Sequence, residues 1–362
     1  MISFWVTQAG SIGIKTYCEH RGRAIADRFQ TRIYDGLPPV VRLGAGPQVF
    51  AALDQLTDSQ REVVVQLWDA HARIAPAACR LNDPRRVLLR FPLLTRLHDE
   101  GINAFRVFRA SASEDVTRFP VFVRQANNHA GPLTGLLHTP RDIGGALHAL
   151  RLRGHRLRDL MIEEFCDTSG PDGLFRKYAA FKVGDSIIPC HMMASRRWCV
   201  KSVANEPDEA TIHEGMEYVE DNPHRDWLRR VFDVAGTGYG RVDYGVLDGV
   251  PQVWEVNLNP TIGRGAGAQR HASLDPDLGR LREEGREVFH SRLRAAFVSL
   301  DGGNDDTDVS VTIGKPLLTR LRAEAAASER RRRIVSFLQS LYDHPRLGMP
   351  ARAVYGRLFP RR

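Results

Sequence analysis

The chain has 362 residues, 43% of them hydrophobic, 26% charged and 8% aromatic. That is enough apolar material for buried cores, and it excludes wholesale disorder, a collagen-like repeat and a coiled coil. The formal charge of +8 is unevenly spread: Lys315 to Arg362 holds twelve basic and three acidic residues, leaving 39 basic and 40 acidic in residues 1–314, so the basic excess belongs to the tail and does not make the body a nucleic-acid binder.

No uncharged apolar run approaches the ~20 residues a membrane helix needs. Met1 to Lys15 lacks the basic-then-apolar order of a signal peptide. Cys18, Cys79, Cys166, Cys190 and Cys199 are widely spaced, with no C-x-x-C. This pattern predicts a cytoplasmic protein with neither a disulfide framework nor a four-cysteine zinc site.

Residues 1–105 read as a small α/β domain. Gln48 to Leu53 has strand texture, and Thr57-Asp58-Ser59 supplies cap chemistry for a helix running past Trp68. Asn82-Asp83-Pro84 is expected to open another helix, with Val87, Leu88, Phe91, Leu94 and Leu97 at helical spacing, a kink near Arg90 because of Pro92, and Gly101 as terminator. Phe119 to Arg124 then reads as a buried strand ending in a cation, followed by a polar loop from Asn127 to Gly135, and Leu160 to Phe165 as a second strand. Gly184-Asp185 and Asp248-Gly249 each mark a hairpin, the first between Phe175–Val183 and Ser186–Met193, the second between Tyr239–Leu247 and Gln252–Asn257. Residues 301–308 read as a linker, and 301–362 as linker and basic helical tail.

The second hairpin carries the chemistry. Asp243, Glu255 and Asn257 place three oxygen donors on neighbouring strands, a set suited to Mg²⁺ with substrate phosphates completing the shell, and Arg241 shares the strand face of Asp243. A half-exposed hairpin with surface charges fits the same spacing. A shared site requires Asp243 opposite Glu255 and Arg241 opposite Asn257. A two-residue Asp248-Gly249 turn run on regularly would instead set Asp243 opposite Trp254. The expected solution is an odd loop, Asp248-Gly249-Val250, closed by Leu247 and Pro251, with the carboxylates exposed in a pocket.

Gly240-Arg-Val-Asp243 followed by Trp254-Glu-Val-Asn-Leu-Asn-Pro260 resembles the end of the nucleotide site of the ATP-grasp superfamily, as in D-alanine:D-alanine ligase and its relatives. The resemblance runs backwards in the family's order over roughly residues 80–270. Arg124 looks like the strand cation that grips ATP phosphates, Asn127 to Gly135 like the loop covering them, and Arg90 like the second phosphate-binding cation. Glu163, Glu164, Phe165 and Cys166 look like the hinge whose backbone pairs with adenine. The stretch from Phe175 to Pro189, whose Lys177 joins the implied cofactor-binding set, and Ser195 to Lys201 look most like bacterial ATP-grasp proteins. Two departures stand out: Arg90 and Arg124 replace the family's usual lysines, and the covering loop has only Gly131 and Gly135.

The resemblance implies an ATP-grasp domain over residues 106–300, two α+β subdomains clasping ATP, behind an N-terminal pre-ATP-grasp α/β domain. It implies ATP and Mg²⁺ as cofactors, the metal held by Asp243, Glu255 and Asn257, with Arg241 as the catalytic residue. The implied activity is an ATP-dependent ligase that activates a small-molecule or peptide carboxylate as an acylphosphate for an amine or other nucleophile. A kinase-like phosphotransferase and a nucleotide-binding protein without turnover remain alternatives. His191, Arg196, Arg197, Trp198 and Lys201 are candidates to line a pocket for an anionic substrate or to form an ordinary charged loop. Cys190, His191 and Cys199 match no common zinc spacing. Gly236 to Gly240 precedes a strand, against a dinucleotide fingerprint. The basic tail, with Leu317, Leu321, Ile334 and Leu338 at helical spacing, suits packing on the body or contact with an anionic lipid or RNA surface.

Overall fold

In chain order the elements are β1 (Ile2–Val6), α1 (Ser11–Glu19), β2 (Phe29–Ile33), β3 (Val40–Gly44), β4 (Gln48–Phe50), α2 (Asp58–Ile74), β5 (Arg80–Leu81), α3 (Arg90–Asp99), β6 (Val107–Arg109), β7 (Val121–Gln125) and α4 (Pro140–Leu152). They continue with β8 (Leu160–Glu164), β9 (Phe175–Val183), β10 (Ser186–Ser195), α5 (Glu209–Asp221), α6 (Arg225–Ala235), β11 (Tyr239–Leu247), β12 (Val250–Asn257), α7 (Pro276–Val298), β13 (Asp308–Thr312) and α8 (Lys315–Asp343). This computed structural model describes residues 1–201, 208–262, 276–300 and 308–343. Most of the linker expected at 301–308, and the tail beyond residue 343, lie outside the described residues.

Contacts divide the chain into two units, Met1–Leu89 with Thr168–Leu318, and Arg90–Asp167 with Thr319–Arg362. This division cuts across the three consecutive segments read from the sequence. Residues 90–167 form an insertion between two parts of the first unit.

The first unit holds a parallel sheet, order β2-β1-β4-β5, and an antiparallel sheet, order β10-β9-β11-β12. All of β1 is buried, the pattern of a strand covered on both faces. Ile2, Phe4 and Val6 of β1, Tyr17 of α1, Phe181 of β9, Tyr239 of β11 and Phe289 and Phe297 of α7 belong to one core. Each such side chain contributes about 1.5–3 kcal/mol by burial. Asn82, at φ +70°, stitches the two sheets: its Nδ2 donates to the carbonyls of Phe50 and Tyr239, and its Oδ1 accepts the N–H of Gly238 and of Tyr239. Asn259 Nδ2 donates to the Gly10 carbonyl at 3.2 Å, fixing the chain just after β12.

The second unit holds a three-stranded sheet, order β6-β8-β7. Val121, Val123, Leu160 and Ile162 face Ile143, Ala146, Leu147 and Leu150 of α4 in its core. The helix expected to open at Asn82 begins only at Arg90. Pro92 explains the shift: in the first turn its missing N–H costs no intrahelical bond, whereas deeper in a helix it would. Thr57 caps α2 as expected, in a reciprocal capping box with Gln60.

The decisive register differs from expectation in its means. Leu247 pairs with Val250, so Asp248-Gly249 is a two-residue turn, with φ +49° and +80°, and the odd loop does not form. Asp243 nonetheless pairs with Glu255, and Arg241 with Asn257. The ladder slips between Asp243 and Tyr244, where Trp254 is an extra residue, a β-bulge that restores the shared face. Trp254 lies across Gly245, where an added Cβ would come 2.6 Å from the indole and 3.0 Å from Thr168 Oγ1. Gly245→Ala should therefore cost about 1–3 kcal/mol in urea unfolding, and Trp254→Ala in the same chain should recover most of it. Additive losses in the double variant would show that the indole is not what excludes the methyl.

Candidate functional site

Successive residues of a strand alternate faces and directly paired residues share one. Asp243 pairs with Glu255 on β12 and with Ala179 on β9, and Ala179 pairs with His191 on β10. Lys177, His191, Arg241, Asp243, Glu255 and Asn257 therefore occupy one face of the antiparallel sheet. Phe181, on the same face, meets Phe289 of α7 with ring centroids 5.2 Å apart, which places α7 on this side.

Asp243 is the hub. Arg241 Nε donates to its Oδ1 at 2.7 Å and Arg241 Nη2 to its Oδ2 at 3.0 Å, while Lys177 Nζ donates to Oδ2 at 2.9 Å. Burial pushes the Asp243 carboxyl up, but the Arg241 and Lys177 charges outweigh burial and the neighbouring Glu255 charge, holding it at about 2. Burial disfavours the Arg241 cation, yet Asp243 keeps it firmly charged. The expectation of exposed carboxylates is corrected: Asp243 is 2% exposed, Glu255 9% and Asn257 7%.

The donor set fits a hard divalent cation. Asp243 and Glu255 are anionic oxygens directly across a ladder, and Asn257 adds an amide oxygen that already accepts the Asn259 N–H at 2.9 Å and retains a second lone pair. Among the described residues no three His, Cys, Asp or Glu side chains cluster as a metal site. A metal here would thus take two carboxylates, one amide and oxygens from outside the protein. Both Asp243 oxygens are engaged by cations, so metal binding would compete with Lys177 and Arg241 for them.

In the second unit, Arg124 and Glu163 lie on the face of the β6-β8-β7 sheet opposite α4, buried, with Nη1 and Oε2 3.5 Å apart. Arg90 starts α3 and is buried too. Its Nη1 reaches the carbonyls of Gln125, Ala126 and Asn128, and its Nη2 lies 3.2 Å from His129 Nδ1. This guanidinium holds the start of the polar loop, whose later part folds back along β7: the Leu133 N–H donates to Val123 O, and the Thr134 hydroxyl accepts the Val123 N–H.

Glu164 turns to the opposite face from Glu163. Arg106 donates to it through its backbone N–H, Nε and Nη2, and Arg118 through Nε and Nη2. Burial pushes this carboxyl up, and the two arginines bring it net below its ordinary value. The hinge expectation is corrected in part: the Glu164 N–H already donates to Arg106 O and the Phe165 N–H to Pro120 O, so neither is spare for adenine. Cys166 is half-buried just beyond them. Arg106 and Arg118 were not singled out by sequence reasoning. Arginines 58 and 46 residues before their partner carry no local spacing signal.

No protein-family model and no curated protein matches the chain. Solved structures to which it is similar are ATP-grasp proteins. A RimK-domain ATP-grasp protein from Sphaerobacter thermophilus is 15% identical over 83% of this chain and 99% of its own, with a TM-score of 0.44. The D-alanine–D-alanine ligase of Bacillus anthracis, solved with ATP, is 13% identical over 82% of this chain and 99% of its own, with a TM-score of 0.40. The ATP-grasp ligase PsnB, solved with a variant of its minimal precursor, Mg and ADP, is 13% identical over 78% of this chain and 97% of its own, with a TM-score of 0.42. Likeness at this level leaves the chemistry to be read from this chain's own residues. No helix among the described residues is long and apolar enough to cross a membrane.

Two stability predictions follow from the buried charges. Asp243→Asn keeps the shape but strands Arg241 and Lys177, so it should lose about 3–5 kcal/mol at pH 7. The Asp243 carboxyl is depressed below the ~3.9 of an unfolded aspartate. Its contribution is therefore complete above that value and disappears as pH falls to about 2. Wild type and variant should converge in urea unfolding over that window, and equal stability at pH 7 would refute the hub role. Glu164→Gln should cost less, about 1–3 kcal/mol, because Arg106 and Arg118 are partly exposed and can rehydrate.

Proposed function

We propose that the chain is an ATP-dependent ligase of ATP-grasp type that activates a carboxylate as an acylphosphate and passes the acyl group to an amine or another nucleophile. The observation that carries this reading is the pairing of Asp243 with Glu255 and of Arg241 with Asn257 on one buried face, joined by Lys177. This concentration of oxygen donors and fixed cations suits phosphoryl transfer, where the protein's task is chiefly positioning and charge neutralisation.

Asp243, Glu255 and Asn257 would hold Mg²⁺, which when bound neutralises phosphate charge. A carboxylate oxygen of the substrate attacks the γ-phosphorus, the bond to the β-phosphate bridging oxygen breaks, and ADP leaves. The nucleophile then attacks the acyl carbon, inorganic phosphate departs, and an amine loses a proton. Arg241, fixed by Asp243 and permanently charged, stabilises negative charge as it develops on the transferred group. Lys177 is a second cation on the same face, and Arg124 with Glu163 is the expected nucleotide contact of the second unit. Arg90 would support that contact by anchoring the chain after β7.

ADP release from the full chain, measured against pools of carboxylates and amines with mass spectrometry of products, tests the reading. ATP-dependent condensation with phosphate release is expected. A phosphorylated end product would replace the ligase by a kinase-like phosphotransferase, and nucleotide binding without ADP would remove turnover altogether. Glu255→Gln should abolish Mg²⁺-dependent ADP release. Arg241→Ala should lower kcat by orders of magnitude with a smaller effect on ATP affinity, as for an interaction made mainly in the transition state. An equal loss in ATP binding would make Arg241 a ground-state clamp.

A further inference from the structure

Two polar groups near the Asp243 face are left without partners in surroundings that make this costly. The ladder between β9 and β10 slips between Pro189 and His191, so Cys190 is an extra residue and His191 pairs with Ala179. Without that bulge His191 would oppose Tyr178 and point to the other face. The bulge re-aims it to the side of Asp243, where only the Ala179 methyl stands on the strand between them. Its Nδ1 lies 3.2 Å from Cys190 Sγ, and its Nε2 is buried with no hydrogen-bond partner among the described residues.

Arg282 is the second group. It is half-buried on α7, the helix on this side of the sheet, and makes no hydrogen bond or ion pair among the described residues. Its neighbour Arg286 adds a like charge and pairs with Glu283 at 3.1 Å. Burial and then Arg286 oppose the Arg282 charge. Lys177 and Arg241, by contrast, are matched on the sheet by Asp243 and Glu255. A partly dehydrated cation without a counter-ion and a buried imidazole nitrogen without a partner are each unfavourable in isolation, and an anion received by both would relieve them together.

We propose that His191 and Arg282 form a subsite for a carboxylate of the substrate, distinct from the carboxylate that is activated, so that the substrate is a dicarboxylate, an acidic amino acid or an acidic peptide. The proposal deepens the ligase reading and rests on it for the word substrate. One full positive charge beside one neutral donor matches a monoanion. The imidazole is neutral at ordinary pH, since burial and then the Arg241, Lys177 and Arg282 charges push His191 down to about 3. The Cys190 thiol, pushed up to about 12 by burial, stays protonated and donates to Nδ1, which leaves the proton of the ring on Nε2, facing the anion.

Isothermal titration of the full chain with succinate, glutarate, L-aspartate and L-glutamate, each against its neutral or amide counterpart, tests this without requiring turnover. At least one acid should bind wild type tenfold or more tighter than its counterpart. Arg282→Gln should erase that preference, Arg282→Lys should keep part of it, and His191→Gln should reduce it. Affinity for the non-hydrolysable ATP analogue AMPPNP should stay unchanged in all three variants. No preference for any acid in wild type, or a preference that survives Arg282→Gln, overturns the subsite. A matching loss of AMPPNP affinity overturns it as well, by giving these residues to the nucleotide. Failure of the ligase reading looks different: ADP release that is absent or indifferent to Glu255→Gln, whatever the titration shows.

Discussion

A carboxylate with almost no access to water, held between a guanidinium and an ammonium, sets the terms for the first unit. Asp243 is tolerable at 2% exposure because Arg241 and Lys177 bind both its oxygens, and those cations are tolerable because Asp243 and Glu255 balance them. Each charge makes sense only with strands β9, β11 and β12 in their observed register. Substituting any one of them leaves a buried charge uncompensated. The arrangement is also a reservoir of preoriented charge, which suits a reaction whose barrier falls chiefly by electrostatic stabilisation.

Around this hub the fold supplies rigidity from several directions. Asn82 ties Phe50 to the start of β11, and Asn259 ties the segment after β12 to the turn before α1. Both strands at the margins of the site carry an extra residue, Cys190 on β10 and Trp254 on β12. The two bulges have the same effect: each changes which side chains face Asp243, bringing His191 and Glu255 to its side. A bulge costs one unpaired position and moves every residue beyond it to the opposite face.

The second unit uses its cations differently. Arg90 spends its guanidinium on three backbone carbonyls, and Arg106 and Arg118 spend theirs on Glu164. A planar fork with several donors can hold a loop in this way, whereas a lysine ammonium at position 90 would be a point charge. The arginine that stands where the resembled family has lysine thus has a structural occupation of its own. Arg124, beside Glu163, is the cation on the sheet face away from α4.

Much of the candidate site was legible because its members are close in sequence. The Arg-x-Asp and Glu-x-Asn spacings put each pair on one strand face, and Asp248-Gly249 announced the turn that brings the strands together. The Thr57 cap and the Gly101 stop, at φ +70°, were equally local. What remained hidden depended on distance or on counting. Whether Asp243 meets Glu255 or Trp254 turns on one extra residue, and a two-residue turn alone predicts the wrong partner; the bulge follows from packing Trp254 over Gly245, which no local propensity encodes. The partnership of Lys177 with Asp243, the clamp on Glu164 and the approach of Arg282 to His191 join residues 46 to 91 positions apart. The sequence by itself determined which chemistry is carried and on which strands, since those are properties of neighbours along the chain. Only the tertiary structure decided which charges are buried together and which are left unpaired, because burial and pairing are properties of the folded surface as a whole.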